Sequence, residues 1–200
     1  MKLLTRNGAF AVFLGVPSSH TSDLMVFNEE YRSVRPKEPH LTRPTRIVAI
    51  ASAGGHWVQL MRLRAAWEGC DVTYVTTDPG LADALRQMSA ESGGPEPKLR
   101  IITEGNRWQK RRLVRQLLQI LMLMLQIRPD AVISTGAAPG YFALRIGKIL
   151  RARTVWIDSI ANAEELSLSG RKIGKHADLW LTQWPHLAGP DGPEFMGSVL

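Results

Sequence analysis

A single cysteine, Cys70, leaves this chain of 200 residues no internal disulfide and no cysteine-based zinc site. Cys70 stands between Gly69 and Asp71 just before an apolar run, so it reads as a packing residue and fits a reducing compartment. No stretch reaches the roughly 18 consecutive apolar residues that a spanning helix needs. Ala9–Val16, after Lys2 and Arg6, resembles the apolar part of a signal peptide. It is short, is interrupted by Gly15 and lacks a small-residue cleavage site before Pro17, so it reads as part of a tail that at most touches a membrane surface. Five Phe and three Tyr, none interleaved with basic residues, argue against a nucleic-acid partner. No Gly-Lys-Ser/Thr follows the glycines, which excludes a Walker loop, and the third glycine of a dinucleotide fingerprint is missing. No His, Cys, Asp or Glu group has metal-ligand spacing, so neither a metal nor a cofactor is expected.

What is present is a strongly basic chain, with a formal net charge of +7 and a pI near 10.0. That charge favours anionic partners: membrane headgroups, phosphorylated lipids or nucleotide substrates. Residues 1–44 lack hydrophobic periodicity and hold Ser18, Ser19, Thr21, Ser22, Pro36, Pro39 and Pro44, which reads as a poorly ordered tail or linker, or as sequence upstream of the true start. From 45 to 200 the pattern is regular. Strands are predicted at Ile47–Ala51, Val72–Thr76, Leu99–Thr103, Ala131–Ser134, Thr154–Asp158 and Leu179–Gln183. Helices are predicted at about His56–Trp67, Leu81–Ser89, Trp108–Ile127 and Gly140–Leu150, with a polar stretch at Ser159–Lys175. Short apolar strands alternating with helices specify an α/β domain, a doubly wound, Rossmann-like parallel sheet covered on both faces. In such a sheet ligands bind beyond the carboxyl ends of the strands. The polar and glycine residues gather at those ends: Ser52–His56, Thr77-Asp78, Gly105-Asn106, Ser134–Pro139 and Asp158–Asn162.

The stretch RIVAIASAGGHW, Arg46–Trp57, has the parts of a phosphate cradle: a buried strand, the small-residue turn Ser52-Ala53-Gly54-Gly55, and a helix opening at His56. Helix N-termini present unpaired N–H groups and the positive dipole end, and glycine lets an anion approach the backbone. A tight turn without ligand is the competing reading. The third predicted helix opens with Arg107, Lys110, Arg111, Arg112 and Arg115 and continues as the apolar run Leu117–Leu125. It is either a buried helix with a basic start, or a membrane-contact helix that places Arg111, Arg112 and Arg115 on headgroups and Leu121 and Leu125 in the interface. Arg145, Lys148, Arg151 and Arg153 form a second basic group, of the kind a solvated helix face carries.

Ordered short matches then identify a resemblance. Ser52-Ala53-Gly54-Gly55-His56 and Val75-Thr76-Thr77-Asp78 come first, followed by Pro129–Pro139, Ile157-Asp158-Ser159, Leu166–Gly170, Ala177-Asp178, Gln183-Trp184-Pro185 and Gly197-Ser198. Together they resemble the asparagine-linked glycosylation protein 14 family, with its PssD-type polysaccharide biosynthesis members, over about Arg46–Leu200. A more distant likeness is to MurG, a single chain holding both halves of such an enzyme. The resemblance implies the N-terminal, acceptor-side half of a split GT-B glycosyltransferase, peripheral to the cytoplasmic face of the membrane. It implies three partners: a separate subunit carrying the C-terminal GT-B domain, a nucleotide sugar, expected to be UDP-linked, and a polyprenyl-diphosphate-linked acceptor of polysaccharide or lipid-linked oligosaccharide synthesis. Under it Ser52, Gly54, Gly55, Thr135, Gly136 and Glu164 are candidate substrate or diphosphate contacts, and His56 and Asp158 candidate catalytic groups; Glu164 and Glu165 are further candidate bases, and a loop or helix-terminal charge is the competing reading for each of the three carboxylates. Imidazole exchanges protons near neutrality, so His56 suits a general base; hydrogen bonding to a phosphate or capping its own helix are the other readings. The segment Trp184–Leu200, with Phe195 and Met196, is the candidate partner-docking surface. The competing function is a non-catalytic anchor that binds lipid and recruits the catalytic subunit. A nicotinamide oxidoreductase using Asp78 on a ribose is a third reading, weakened by the missing glycine.

Overall fold

The computed structural model describes residues 3–6, 9–12, 43–91, 96–105 and 108–199. Strands β1 (Leu3–Arg6) and β2 (Ala9–Val12) pair antiparallel as a ribbon of their own, inside the segment expected to be a tail. The main body follows in the order β3 (Arg46–Ile50), α1 (Gly55–Arg62), β4 (Asp71–Thr76), α2 (Leu81–Glu91), β5 (Lys98–Ile101), α3 (Lys110–Ile127), β6 (Ala131–Ser134), α4 (Ala137–Ile149), β7 (Arg153–Ile157), α5 (Leu168–Ile173), β8 (Leu179–Thr182) and β9 (Glu194–Phe195).

Strands β3 to β9 form one seven-stranded sheet in the order β5-β4-β3-β6-β7-β8-β9, and every neighbouring pair is parallel. Successive side chains of a strand point to opposite faces, and β3 shows what that alternation builds. Ile47, Ala49 and Ala51 pack with Trp57, Leu60, Met61 and Leu85 on one face, while Val48 and Ile50 pack with Ile120, Met124 and Leu144 on the other. Burial on both faces explains why these strands read as unbroken apolar runs. The chain winds outward from β3 in one direction through β4 and β5, and from β6 in the other through β7, β8 and β9. The switch point therefore lies between β3 and β6, where Ile50 stands beside Ser134 at the carboxyl ends. This is the place at which a doubly wound sheet opens a crevice.

The Rossmann-like architecture and every strand and helix expected from the pattern are present, with four differences. Helix α1 ends at Arg62 rather than Trp67, and Arg64–Trp67 forms a separate 3-10 turn. Helix α4 begins at Ala137 rather than Gly140, because Pro139 sits in the first turn, where its missing N–H costs nothing. The polar stretch after β7 contains α5, a short helix capped by Ser167, whose Oγ accepts from Gly170 N at 2.8 Å. The strand β9, two residues long, extends the sheet edge beyond β8.

Candidate functional site at the switch point

The turn after β3 and the turn after β6 meet across the switch point. Gly54, with φ 77°, ends the first turn as the N-cap of α1, and Gly136, with φ 140°, ends the second as the N-cap of α4. Neither glycine has a side chain with which to cap its helix. Two helix N-termini thus converge on one mouth, each with its positive dipole end toward it. Gly54 and Gly55 are solvent-exposed, and a Cβ at either would meet nothing within 4 Å, so their backbone faces open space.

His56 lies between the two turns. Its Nδ1 is 2.9 Å from the carbonyl oxygen of Thr135, and Thr135 Oγ1 donates to the carbonyl of His56 at 2.6 Å. A carbonyl only accepts, so Nδ1 carries the proton and Nε2 of the neutral ring holds the lone pair. Among the described residues nothing hydrogen-bonds Nε2. The ring rests on Gly136: a Cβ there would fall 2.4 Å from His56 Cε1 and 2.5 Å from Nδ1. A glycine at 136 is thus required twice, by the positive φ and by the imidazole above it. Gly136 N donates to Ser134 Oγ at 3.1 Å, which fixes the second turn, and Ala53 N donates to Thr77 Oγ1 at 3.3 Å, which fixes the first. Ser52 is half-buried in that first turn. His56, Gly54, Gly55, Ser52, Thr135 and Gly136 are thereby brought together, but Thr135 and Gly136 are buried and hold the imidazole rather than offering the substrate contact expected of them, which leaves Gly54 and Gly55 as the exposed part.

Asp158 directly follows β7, one strand further along, and is buried. Its Oδ1 accepts from Ser159 N at 3.2 Å and Asn162 Nδ2 at 3.3 Å, and its Oδ2 accepts from Ser167 N at 2.8 Å. Both carboxylate oxygens are committed to folding the loop 159–167, an arrangement that positions the loop rather than presenting a base to a substrate. Glu164 is exposed on that loop, and Glu165 accepts from Arg171 Nη1 at 2.7 Å. Asp78 turns back on its own turn, accepting from Gly80 N at 2.8 Å. Among the described residues no group of three or more His, Cys, Asp or Glu is placed to hold a metal ion.

Sequence reasoning missed Gln59 and Gln183, both buried behind the mouth. Gln183 Nε2 donates to Gln59 Oε1 and to Asp158 O, each at 3.0 Å; Gln59 Nε2 donates to Ser159 Oγ at 3.1 Å. A polar side chain on the apolar face of α1, flanked by Trp57 and Leu60, was the available signal.

Helix α3 is neither wholly buried nor wholly apolar on its outside. Gln116, Ile120, Leu123 and Met124 face the core, while Val114, Leu118, Met122 and Leu125 form an outward stripe, each 46–56% exposed. Leu125 belongs to the stripe, but Leu121 packs half-buried against the core, so its expected membrane contact is not available in this arrangement. Arg111, Arg112 and Arg115 are exposed and form no ion pair among the described residues. No described helix is long and apolar enough to cross a membrane. Of the expected docking residues, Phe195 is exposed, whereas Met196 is half-buried and packs on the core.

The profile of the family described as "Oligosaccharide biosynthesis protein Alg14 like" matches residues 47–199. The chain belongs to that family. The UDP-N-acetylglucosamine transferase subunit ALG14 of Eremothecium gossypii is 29% identical over 168 residues, covering 72% of this chain and 75% of that protein. Among solved structures, MurG of Acinetobacter baumannii superposes with a TM-score of 0.59 at 13% identity, over 76% of this chain and 45% of MurG. The UDP-N-acetylglucosamine 2-epimerase of Rickettsia bellii gives 0.50 at 15% identity, over 72% of this chain and 40% of that enzyme. The Alg14-like chain thus spans less than half the length of these single-chain structures, and its fold is the Rossmann-like half of a GT-B architecture.

Proposed function

We propose that this Alg14-like chain is the acceptor-side subunit of a two-part glycosyltransferase, moving a sugar from a UDP-linked donor to a polyprenyl-diphosphate-linked acceptor at the cytoplasmic membrane face. A partner subunit supplies the second GT-B domain and most of the donor contacts. The observation that carries the reading is His56: its Nδ1–H is held by Thr135 O at 2.9 Å, and its lone pair at Nε2 is left for a substrate at the mouth of two glycine-capped helices.

The chemistry follows from that geometry. The diphosphate of the acceptor seats against the exposed Gly54-Gly55 backbone, where helix N-termini stabilise negative charge. His56 Nε2 takes the proton of the acceptor hydroxyl as its oxygen bonds to the anomeric carbon. The bond from that carbon to the nucleotide diphosphate breaks, and the diphosphate leaves with the electron pair. The imidazolium so formed is stabilised by Thr135 O and returns its proton to solvent. Thr135 and Gly136 hold the ring, and Asp158 shapes the loop wall beside it. The outward stripe of α3, with Arg111, Arg112 and Arg115 at its head, lies in the interface of an anionic bilayer. Helix α3 starts at the carboxyl end of the sheet, so this contact brings the lipid tail of the acceptor to the same side as the mouth.

The stripe alone also suits a non-catalytic anchor, and one experiment separates the two. A His56→Ala chain co-expressed with its partner is expected to bind partner and vesicles as the wild type does while losing sugar transfer by about 10²-fold or more. Full transfer by that variant overturns the catalytic reading in favour of the anchor.

A further inference from the structure

The chain's last described residues are wired to the site through two buried amides. Gln183 Oε1 accepts from Val199 N at 3.0 Å, and Arg62 Nη1 donates to Val199 O at 3.0 Å. On its other side Gln183 Nε2 donates both to Gln59 Oε1 and to the carbonyl of Asp158. Gln59 lies one helical turn beyond His56 in α1; its Nε2 donates to Ser159 Oγ, and its Oε1 also accepts from Ile160 N at 3.4 Å. Trp184 Nε1 donates to Ile160 O at 2.8 Å, tying the same loop to the turn after β8. Gln59 and Gln183 are 5% and 3% exposed. Buried amides surrendering a partner cannot turn to water, so such a network moves as a unit or is broken at a cost. Met196 and Val199 cover Leu63, Ile157 and Leu181 beside it, so the segment 196–199 is a clasp over the back of the site.

We propose that Gln59 and Gln183 are positioning residues that couple the C-terminal segment to the helix bearing His56 and to the loop after β7. The effect of that coupling on turnover rests on the glycosyltransferase reading above. Only an amide satisfies position 183: it must donate twice, to Gln59 Oε1 and Asp158 O, and accept once, from Val199. A carboxylate would set acceptor against acceptor at two contacts, and an aliphatic side chain would strip all three.

The test reads amide hydrogen exchange at Val199 in Gln59→Met, a substitution that does not touch Val199. Exchange there is expected to accelerate at least tenfold, because Gln183 loses the partner that orients it. Exchange unchanged from the wild type overturns the coupling. If Gln59→Met does not fold, Gln183→Met read at the Ile160 amide asks the same question from the other end, with the same expected and refuting results. In the assembled enzyme at saturating partner, Gln183→Met is expected to lower kcat at least tenfold with acceptor KM within threefold. Wild-type kcat in that variant overturns the positioning role. A wild-type complex that transfers no sugar defeats the glycosyltransferase reading instead, and the exchange result still decides the coupling.

Discussion

Gly136→Ala tests the placement of the imidazole directly. The backbone at 136 has φ 140° and ψ −171°, a region essentially reserved for glycine, and holding alanine there costs on the order of 1–3 kcal/mol. The new Cβ would stand 2.4 Å from His56 Cε1, so the ring must also swing off Gly136 and release Thr135 O. Losing that hydrogen bond adds about 1 kcal/mol. The sum is a destabilisation of about 2–4 kcal/mol, read as a lower urea midpoint at unchanged slope. The discriminating measurement is a double-mutant cycle with His56→Ala. With the imidazole already gone, Gly136→Ala retains its backbone strain but has no ring to displace, so its cost is expected to fall by about 1 kcal/mol. Equal cost in both backgrounds would refute the contact between ring and glycine, and with it the pinned-Nδ1 account of His56.

Three further outcomes are expected. Gly55→Ala, whose Cβ points into open space, leaves stability unchanged or slightly higher, by up to about 1 kcal/mol from helix propensity, yet raises acceptor KM if a diphosphate rests on that backbone; steady-state kinetics beside a thermal melt checks both halves. Replacing Leu118, Met122 and Leu125 together by Gln removes about 1 kcal/mol of interfacial transfer per side chain, so partition onto anionic vesicles falls by about 10²-fold while the circular dichroism melt stays put; an unchanged partition refutes the membrane face. Asp178 is the acid-sensitive group: burial pushes its carboxyl upward, but Lys148 Nζ at 2.5 Å and the N–H and hydroxyl of Thr154, each at 2.9 Å, outweigh it and hold the group below the ordinary aspartate range. A depressed carboxylate contributes its stability fully above the unfolded aspartate pKa of about 4 and loses it as pH falls further. Wild-type stability is therefore expected to drop more steeply below about pH 4 than that of Asp178→Asn, compared by urea titration at stepped pH.

The parts of this molecule that were legible in its sequence are those governed by short-range rules. Strands buried on both faces announce themselves as apolar runs such as Ile47–Ala51, and the glycines at 54 and 136 mark turns by their need for positive φ. Both turns fall at strand carboxyl ends, so their place at the switch point of the sheet followed from pattern alone. Pairing between distant residues does not leave that kind of trace. The Thr135 carbonyl selects which nitrogen of His56 keeps its proton, across 79 positions of chain, and no local signal encodes a backbone acceptor. Gln59 and Gln183 are 124 positions apart, and each alone looks like a polar residue out of place. Asp158 shows the opposite failure: a carboxylate at a strand end suggests catalysis, while its oxygens serve the amides of Ser159 and Ser167. On helix α3 the composition was plain, but the facing was not. Leu121 and Leu125 are separated by one turn, and only the packing of Ile120 and Met124 against the sheet decides that the stripe runs through Leu118, Met122 and Leu125 and passes Leu121 by. An apolar helix thus becomes a surface with one usable face. Because that face starts at the end of the sheet where His56 stands, the lipid contact and the sugar chemistry proposed above would both follow from a single orientation. Moving the protein off the membrane should therefore reduce turnover on lipid-linked acceptors while sparing water-soluble ones.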